Sequence, residues 1–147
     1  AWLFAQAKGR VLWMRRSLAI HLIVQAILAG LSLALLFNWF LDLDASHLRQ
    51  GMFIALAAHL VLTMSEGKFS PEGREEEYAR VHALIARGPF AGRHWNIGML
   101  VGVMIPALIL IVPAAPWLWS IAAIPVLIGL FVEEDVMVQA GQALPIS

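Results

Sequence analysis

The sequence has no cysteine and few charged residues. None of its 147 residues is Cys, and 14% are Asp, Glu, Lys or Arg, against about a quarter in typical soluble domains. Without cysteine, this sequence cannot by itself hold an iron–sulfur cluster, a cysteine zinc site or a disulfide. Ten basic residues balance ten acidic ones, so no basic excess points to nucleic-acid binding.

Long apolar blocks make up most of the chain, which is 61% hydrophobic. Four of them cover about 17–40, 50–66, 94–112 and 117–138, and a spanning helix needs about 20 apolar residues. The pattern predicts an all-α integral membrane protein, in which a single domain over residues 1–147 contains four transmembrane helices forming one bundle. The second block is short, so it spans with its ends reaching the interface or lies buried among the other helices.

One long hydrophilic stretch separates the second and third blocks. Pro71 stands where a first helical turn tolerates proline, and the pattern predicts a cytoplasmic surface helix over about 71–87. Tyr78, Val81 and Ile85 recur at helical spacing and form a narrow apolar stripe. Two interpretations stay open, a helix lying along the membrane–water boundary and a solvated connecting helix.

The basic residues are sorted by position along the chain. They cluster at 8–16 and 68–93, whereas Arg49 alone falls in the short connections between the other blocks. With four crossings, both clusters share one side of the membrane. Positively charged loops stay in the cytoplasm, so we expect Ala1 and Ser147 to be cytoplasmic.

The second apolar block carries the most suggestive polar group. His59, Thr63 and Glu66 follow one another by four and then three residues, which places all three on one helix face. An imidazole and a carboxylate bridged by a hydroxyl form the kind of chain that carries protons to a quinone. The alternative is structural, with His59 bonding a neighbouring helix and Glu66 marking the cytoplasmic end.

His21 and Gln25 form a second polar pair, four residues apart in the first block. They are candidates for the same quinone or proton site, although structural packing is the favoured interpretation. We expect no haem between His21 and His59, because helix register places His59 roughly 10 Å deeper in the membrane. We expect no metal site in the chain.

Three consecutive acids stand near the end of the last block. Glu133, Glu134 and Asp135 are candidates for lining a proton intake or for pairing with Arg93 or Arg16. Consecutive residues point around most of a helix, so at most two of the three face inward. The favoured interpretation is that they mark the membrane interface.

Three stretches together resemble the NrfD/PsrC family, the polysulfide reductase membrane subunit-like proteins. They are LFAQAKGRVLWMRRSLAIHLIVQAILAG at 3–30, RGPFAGRHWNIGMLVGVMIP at 87–106 and VMVQAGQALPIS at 136–147. Their order and spacing match the family over essentially the whole chain. The resemblance implies the C-terminal half of an eight-helix protein in the bacterial inner membrane, and we accordingly expect Ala1 to continue a helix that begins upstream.

The resemblance also implies a function. Such a subunit anchors a respiratory oxidoreductase and passes electrons between an iron–sulfur partner subunit and the quinone pool, menaquinone or ubiquinone. A molybdopterin or multihaem subunit then carries the catalysis, and this chain is not catalytic alone. The family's quinone contacts lie in the other half, so His59 and Glu66 are inferred from this sequence only, and the acidic run at 133–135 departs from the family pattern.

Two other functions fit the residues. Proline-kinked helices and buried acids also suit half of a small transporter or channel. A purely structural membrane anchor needs neither quinone nor protons. A respiratory subunit is expected to copurify with an iron–sulfur protein, and a transporter is expected to purify alone.

Overall fold

The computed structural model describes residues 10–113 and 115–143, and these are helical with no strand among them. Expectations about Ala1, Lys8, Ser147 and the closing residues 144–147 therefore lie outside the described residues. The prediction of an all-α protein is confirmed for the described part. Three helical segments are long and apolar enough to cross a membrane, namely Leu18–Leu36, Ala45–Lys68 and Arg93–Ile111.

Five helices organise the described chain. The first two are α1, Leu18–Leu36, and α2, Ala45–Ser65. The short α3, Glu75–Ala86, precedes α4, which joins a π-helical part, Arg93–Met104, to an α-helical part, Ile105–Ile111. The last is α5, Pro116–Ala143. Single turns at Val11–Met14, Asn38–Leu41 and Glu66–Lys68 connect them.

The helix ends differ from expectation for local reasons. We expected α2 to begin near residue 50, but it begins at Ala45 because the Asp44 carboxylate accepts hydrogen bonds from the backbone N–H groups of Ser46, at 2.8 Å, and His47, at 3.2 Å. The expected helix 17–40 breaks at Phe37, which leaves helical geometry. At the other end of the chain, α5 continues five residues beyond the expected 138.

The surface helix was predicted over 71–87 and is shorter. It begins only at Glu75, because Gly73 adopts a positive φ of 74° that a helix does not permit. Its apolar stripe faces the protein interior and not the surroundings of the protein. Tyr78, Val81 and Ile85 are buried in a cluster with the Val11–Met14 turn and with the last turns of α5.

The four long helices α1, α2, α4 and α5 pack in cyclic order, each antiparallel to its neighbours. Ser32 of α1 donates to the Sδ atom of Met52 in α2 at 3.7 Å, while His21 lies against His59 at the opposite end. Likewise the Ser120 hydroxyl of α5 donates to the Leu35 carbonyl of α1 at 2.8 Å. One apolar core fills the interior, and its fully buried members include Leu28, Leu35, Met52, Ala122 and Val126.

Glycine sets the distance between α4 and α5. A Cβ atom added to Gly102 would lie 2.6 Å from the Cα of Gly129, so the two backbones are in direct contact. Gly98 and Gly102 form a GxxxG pair, whose small residues permit such an approach between membrane helices. Gly98 has a different neighbour, since its added Cβ would overlap the carboxylate of Glu133.

We expect Gly102→Ala to destabilise the protein by about 1–3 kcal/mol, the usual cost of overpacking a close contact. Gly30→Ala is the matched control, because a Cβ there meets no atom within 4 Å. The free energy of unfolding in detergent micelles measures both. Equal stability of the two variants would contradict the close α4–α5 contact.

Candidate functional site

A buried ion pair joins the beginning of α1 to the end of α2. Arg15 follows the Val11–Met14 turn, and Glu66 opens the Glu66–Lys68 turn directly after α2. The two side chains form a salt bridge with exposures of only 1% and 7%. Because a buried charge without a partner costs several kcal/mol, this pair ties the two segments together.

Two histidines extend the ion pair into the interior. His21 Nδ1 lies 2.7 Å from Glu66 Oε1, and the His59 ring meets the His21 ring edge-on with centroids 5.1 Å apart. Both histidines are fully buried. Arg15, Glu66, His21 and His59 therefore form a continuous line of contacts, which we call the Arg15–His59 line.

Several polar atoms along this line have no hydrogen-bond partner within the described ranges. They belong to buried groups at the same end of the molecule, namely His59 Nδ1, Thr63 Oγ1, His21 Nε2, Ser17 Oγ and Arg15 Nε. Buried polar atoms are nearly always satisfied in native proteins, by protein groups, ordered water or a ligand. The Arg15–His59 line thus has the capacity to bind water or a polar ligand group.

A cavity of about 200 Å³ lies beside this line. Thr63 and Glu66 border it on one side, and His82 of α3 and His94 of α4 on the other. A water molecule needs roughly 10–15 Å³ of such space, so the cavity is large enough for several. It connects the buried carboxylate to the half-buried His82 at the protein surface.

A second histidine–carboxylate pair borders the same region. His94 Nδ1 lies 2.9 and 3.2 Å from the two carboxylate oxygens of Glu133, and both side chains are less than one-tenth exposed. Gly98, one turn after His94, leaves the space that the Glu133 carboxylate occupies. Two separate buried His–Glu pairs therefore meet one cavity at the basic end of the molecule.

The remaining acids of the 133–135 run have other surroundings. Glu134 is partly buried between α5 and α1 and bonds the Gln25 side chain. Asp135 forms a salt bridge with Arg93 and accepts a hydrogen bond from Gln139 Nε2 at 2.7 Å. Only Glu133 of the three is fully buried, so the acidic run is divided between an inner pair, a helix–helix contact and the surface.

Helix α3 closes the site from outside. The Tyr78 hydroxyl donates to the backbone carbonyl of Glu66 at 2.9 Å, and burial raises the pKa of Tyr78 to about 12. Burial also lowers the pKa of His82 below its usual 6.5, an effect that the negative charge of Glu66 opposes. At neutral pH Tyr78 is therefore a fixed hydrogen-bond donor, and His82 is a neutral imidazole able to accept a proton.

The structure brings together most of the residues that the sequence singled out. His59, Thr63 and Glu66 share one buried face, as the spacing predicts, and His21 joins them. Gln25 lies one turn deeper, beside Glu134. The expectation that His21 and His59 lie at different depths was wrong. Arg15 and Ser17, which precede α1, are themselves buried, so α1 begins inside the protein and not at its surface.

Sequence reasoning missed Arg15, His82 and His94. Arg15 stood in a basic cluster that was interpreted as an orientation signal, and no local spacing distinguishes it from the exposed Arg16 beside it. His94 is four residues before Gly98. This spacing indicates a site only when the Glu133 carboxylate is known to occupy the space beside Gly98. These partners are distant in sequence, so packing alone reveals them.

The arrangement of these side chains also bears on metal and haem binding. Within 10–113 and 115–143 no three or more His, Asp or Glu side chains are grouped so as to hold a metal ion. The edge contact between the His21 and His59 rings leaves no gap for a porphyrin, which needs one ring on each side of its iron.

Comparison of the chain with protein-family models, with curated proteins and with solved structures gives no match.

We expect Glu66→Gln to lower the free energy of unfolding by about 3–5 kcal/mol, because it leaves the Arg15 guanidinium buried without a counter-charge. The double variant Arg15→Met/Glu66→Leu removes both charges and is expected to recover most of that loss. Denaturant titration in detergent micelles gives the values.

Glu76→Gln is the control, since Glu76 is exposed and lies 3.6 Å from Arg80. An exposed pair of this kind contributes at most about 1 kcal/mol. If Glu66→Gln were as stable as Glu76→Gln, the buried ion pair would not hold α1 against α2.

Proposed function

We propose that the chain crosses the membrane four times as one helical bundle. Three segments have the length and composition for this, and α5 runs antiparallel along the whole of α1, from the Ser120–Leu35 contact to Met137 and Leu22. A helix packed against a spanning helix over its full length must cross with it. Its 28 residues extend about 42 Å, against a hydrocarbon core of about 30 Å.

The outward surfaces support a lipid environment. Large apolar side chains face outward on all four helices, among them Ile23, Ile54, Leu108 and Phe131, which is 74% exposed. The interior holds His21, Gln25, Ser32, His59 and Glu133. A surface more apolar than parts of the interior is the reverse of a soluble protein. By the positive-inside rule, we expect the end with the Arg15–His59 line and both chain ends to face the cytoplasm. The resemblance to the NrfD/PsrC family supports a bacterial inner membrane.

Because the chain contains no cysteine, single cysteines introduced at exposed sites report the topology cleanly. We expect Ser46→Cys and Ala115→Cys to react with a membrane-impermeant thiol reagent from outside the cell. Glu76→Cys and Gln142→Cys should react only after the inner membrane is opened. Labelling of Ala115→Cys and Gln142→Cys from one and the same side would remove the fourth crossing.

We propose that the protein is the membrane anchor and quinone-interacting subunit of a bacterial respiratory oxidoreductase complex. The single observation that carries this is the Arg15–His59 line, a carboxylate and two imidazoles in contact inside an otherwise apolar bundle. Ionisable groups inside a membrane domain are costly, and they mark substrate sites or proton paths. Reducing a quinone takes up two protons and two electrons, and an anchor without function needs no such groups.

Each group on the line has a place in proton transfer. The half-buried His82 takes protons from the cytoplasm and passes them through the cavity to Glu66. Glu66 hands them to His21, whose Nδ1 lies 2.7 Å away. A water molecule bonded by His21 Nε2 and His59 Nδ1, two atoms without a hydrogen-bond partner in the described chain, then carries the proton to the adjacent His59 ring. Arg15 holds Glu66 in place. His59, with Thr63 one turn away, then delivers the proton towards the quinone.

The electrons come from a partner, since a chain without cysteine holds no cluster of its own. The resemblance of 3–30, 87–106 and 136–147 to the NrfD/PsrC family supports an iron–sulfur subunit as that partner. It further supports a molybdopterin or multihaem catalytic subunit, menaquinone or ubiquinone as exchangeable substrate, and a further four-helix bundle completing an eight-helix protein.

The intact complex, purified through a tag on this chain, tests the proposal. We expect an iron–sulfur partner with broad visible absorbance to copurify. His59→Ala is expected to lower quinone-coupled turnover roughly 100-fold, within the range for loss of a positioned proton-transfer group. Turnover with an artificial electron acceptor that bypasses the quinone should not change.

Two variants separate proton transfer from folding. His47→Ala is the matched control, because His47 is 81% exposed at the opposite end, and it should keep full turnover. Arg15→Met/Glu66→Leu removes the carboxylate without stranding a charge and should be as slow as His59→Ala. Unchanged quinone-coupled turnover in His59→Ala and in the double variant would refute the relay. Purification without any redox partner would favour a transporter, a channel half or a structural anchor.

A further inference from the structure

A further pocket runs from the middle of the bundle towards the end opposite to the Arg15–His59 line. It is a groove between α2 and α4 on the outer face of the bundle, with a volume of about 220 Å³. Its walls are apolar and include Leu56, Ala57, Leu60, Val103, Ala107 and Leu108. Phe53 and Ile111 border both this groove and a further cavity of about 360 Å³, so the two spaces are neighbours.

Arg49 stands at the head of this groove. It lines the larger cavity together with Gln50, and its guanidinium lies 4.6 Å from the ring centroid of Trp119. This cation–π contact orients the side chain. Over residues 10–113 and 115–143 no carboxylate lies within ion-pair distance of Arg49, whereas the carboxylate of nearby Asp44 is used by the backbone N–H groups of Ser46 and His47.

The position of Arg49 matches the headgroup level of a bilayer. It lies one turn inside the beginning of α2, beside the end of α4. Trp39 and Trp117 are exposed at the same end, and tryptophan collects at the membrane–water boundary. An oriented cation at that level, above an apolar groove that runs towards the bilayer centre, is complementary in shape and charge to an anionic amphiphile.

We propose that this groove is a binding site for an anionic phospholipid. One acyl chain lies between α2 and α4, and the phosphate meets Arg49 and Gln50. A neutral molecule would leave the Arg49 charge with the Trp119 ring but without a counter-charge, and a small soluble anion would leave the apolar walls uncovered. Basic pockets between membrane helices bind lipid headgroups in this way. The site requires only that α2 and α4 cross the bilayer, and it does not depend on the quinone function.

Native mass spectrometry of the full chain in detergent tests the site. The protein is titrated with phosphatidylglycerol and with phosphatidylcholine of identical acyl chains. We expect phosphatidylglycerol to be retained about fivefold better, because its headgroup has a net negative charge that attracts one Arg at a membrane surface, whereas the cationic choline cancels the phosphate charge of phosphatidylcholine. Arg49→Gln should abolish this preference. Arg80→Gln is the control and should preserve it, because Arg80 is 74% exposed on α3 and lies near Glu76.

The acyl part of the site has its own variant. Ala57→Trp fills the groove from an exposed position on α2 and should reduce the retention of both lipids by the same factor. Ala26→Trp, at an exposed position on α1 away from the groove, should leave retention unchanged. A loss of lipid retention in Ala57→Trp but not in Ala26→Trp shows that the site holds the acyl chain as well as the phosphate.

Each other occupant has a distinct result that overturns the proposal. Equal retention of the two lipids by wild type and Arg49→Gln means that the headgroup is not recognised. Glycerol phosphate that competes as well as phosphatidylglycerol assigns Arg49 to a small anion. A long-chain quinone that binds wild type and Arg49→Gln equally, and displaces the lipid, assigns the groove to quinone. Loss of a dimer in Arg49→Gln or Ala57→Trp assigns it to a second copy of the chain.

Discussion

The salt bridge between Arg15 and Glu66 is the constraint on which the histidine-rich end of the bundle depends. Both side chains are almost fully buried, in surroundings where a lone charge is costly. The pair therefore holds the segment before α1 against the end of α2. That position brings His21 level with His59 and places Glu66 beside the cavity under α3. Removing either charge leaves the other one buried without its counter-charge.

The two ends of the bundle have different chemistry. At the end that holds the Arg15–His59 line, titratable groups are buried in pairs beside a cavity. At the opposite end, Arg49 has a ring of Trp119 as its partner and faces an apolar groove. Protons need groups that gain and lose charge inside the protein, whereas a lipid headgroup needs a fixed charge at the surface. The proposed proton path and the proposed lipid site thus occupy the ends suited to them.

Much of the fold was accessible from the sequence, because helix formation in an apolar chain depends on local composition. The all-helical class is confirmed, and three segments of spanning length lie close to where the apolar blocks predict them. The common face of His59, Thr63 and Glu66 followed from spacing alone. The boundaries of α2 and α3 did not, because they depend on one cap at Asp44 and one positive φ at Gly73. Quinone, partner subunits and membrane orientation stay predictions.

The sequence by itself determined which segments form helices, which are apolar enough for lipid and which polar groups share a helix face, since all three follow from composition and spacing along the chain. Only the tertiary structure decided what those groups contact. Arg15 and Glu66, His94 and Glu133, and Gly102 and Gly129 meet across helices that are far apart in sequence. Their partners depend on the depth and rotation of whole helices, which result from packing the entire bundle.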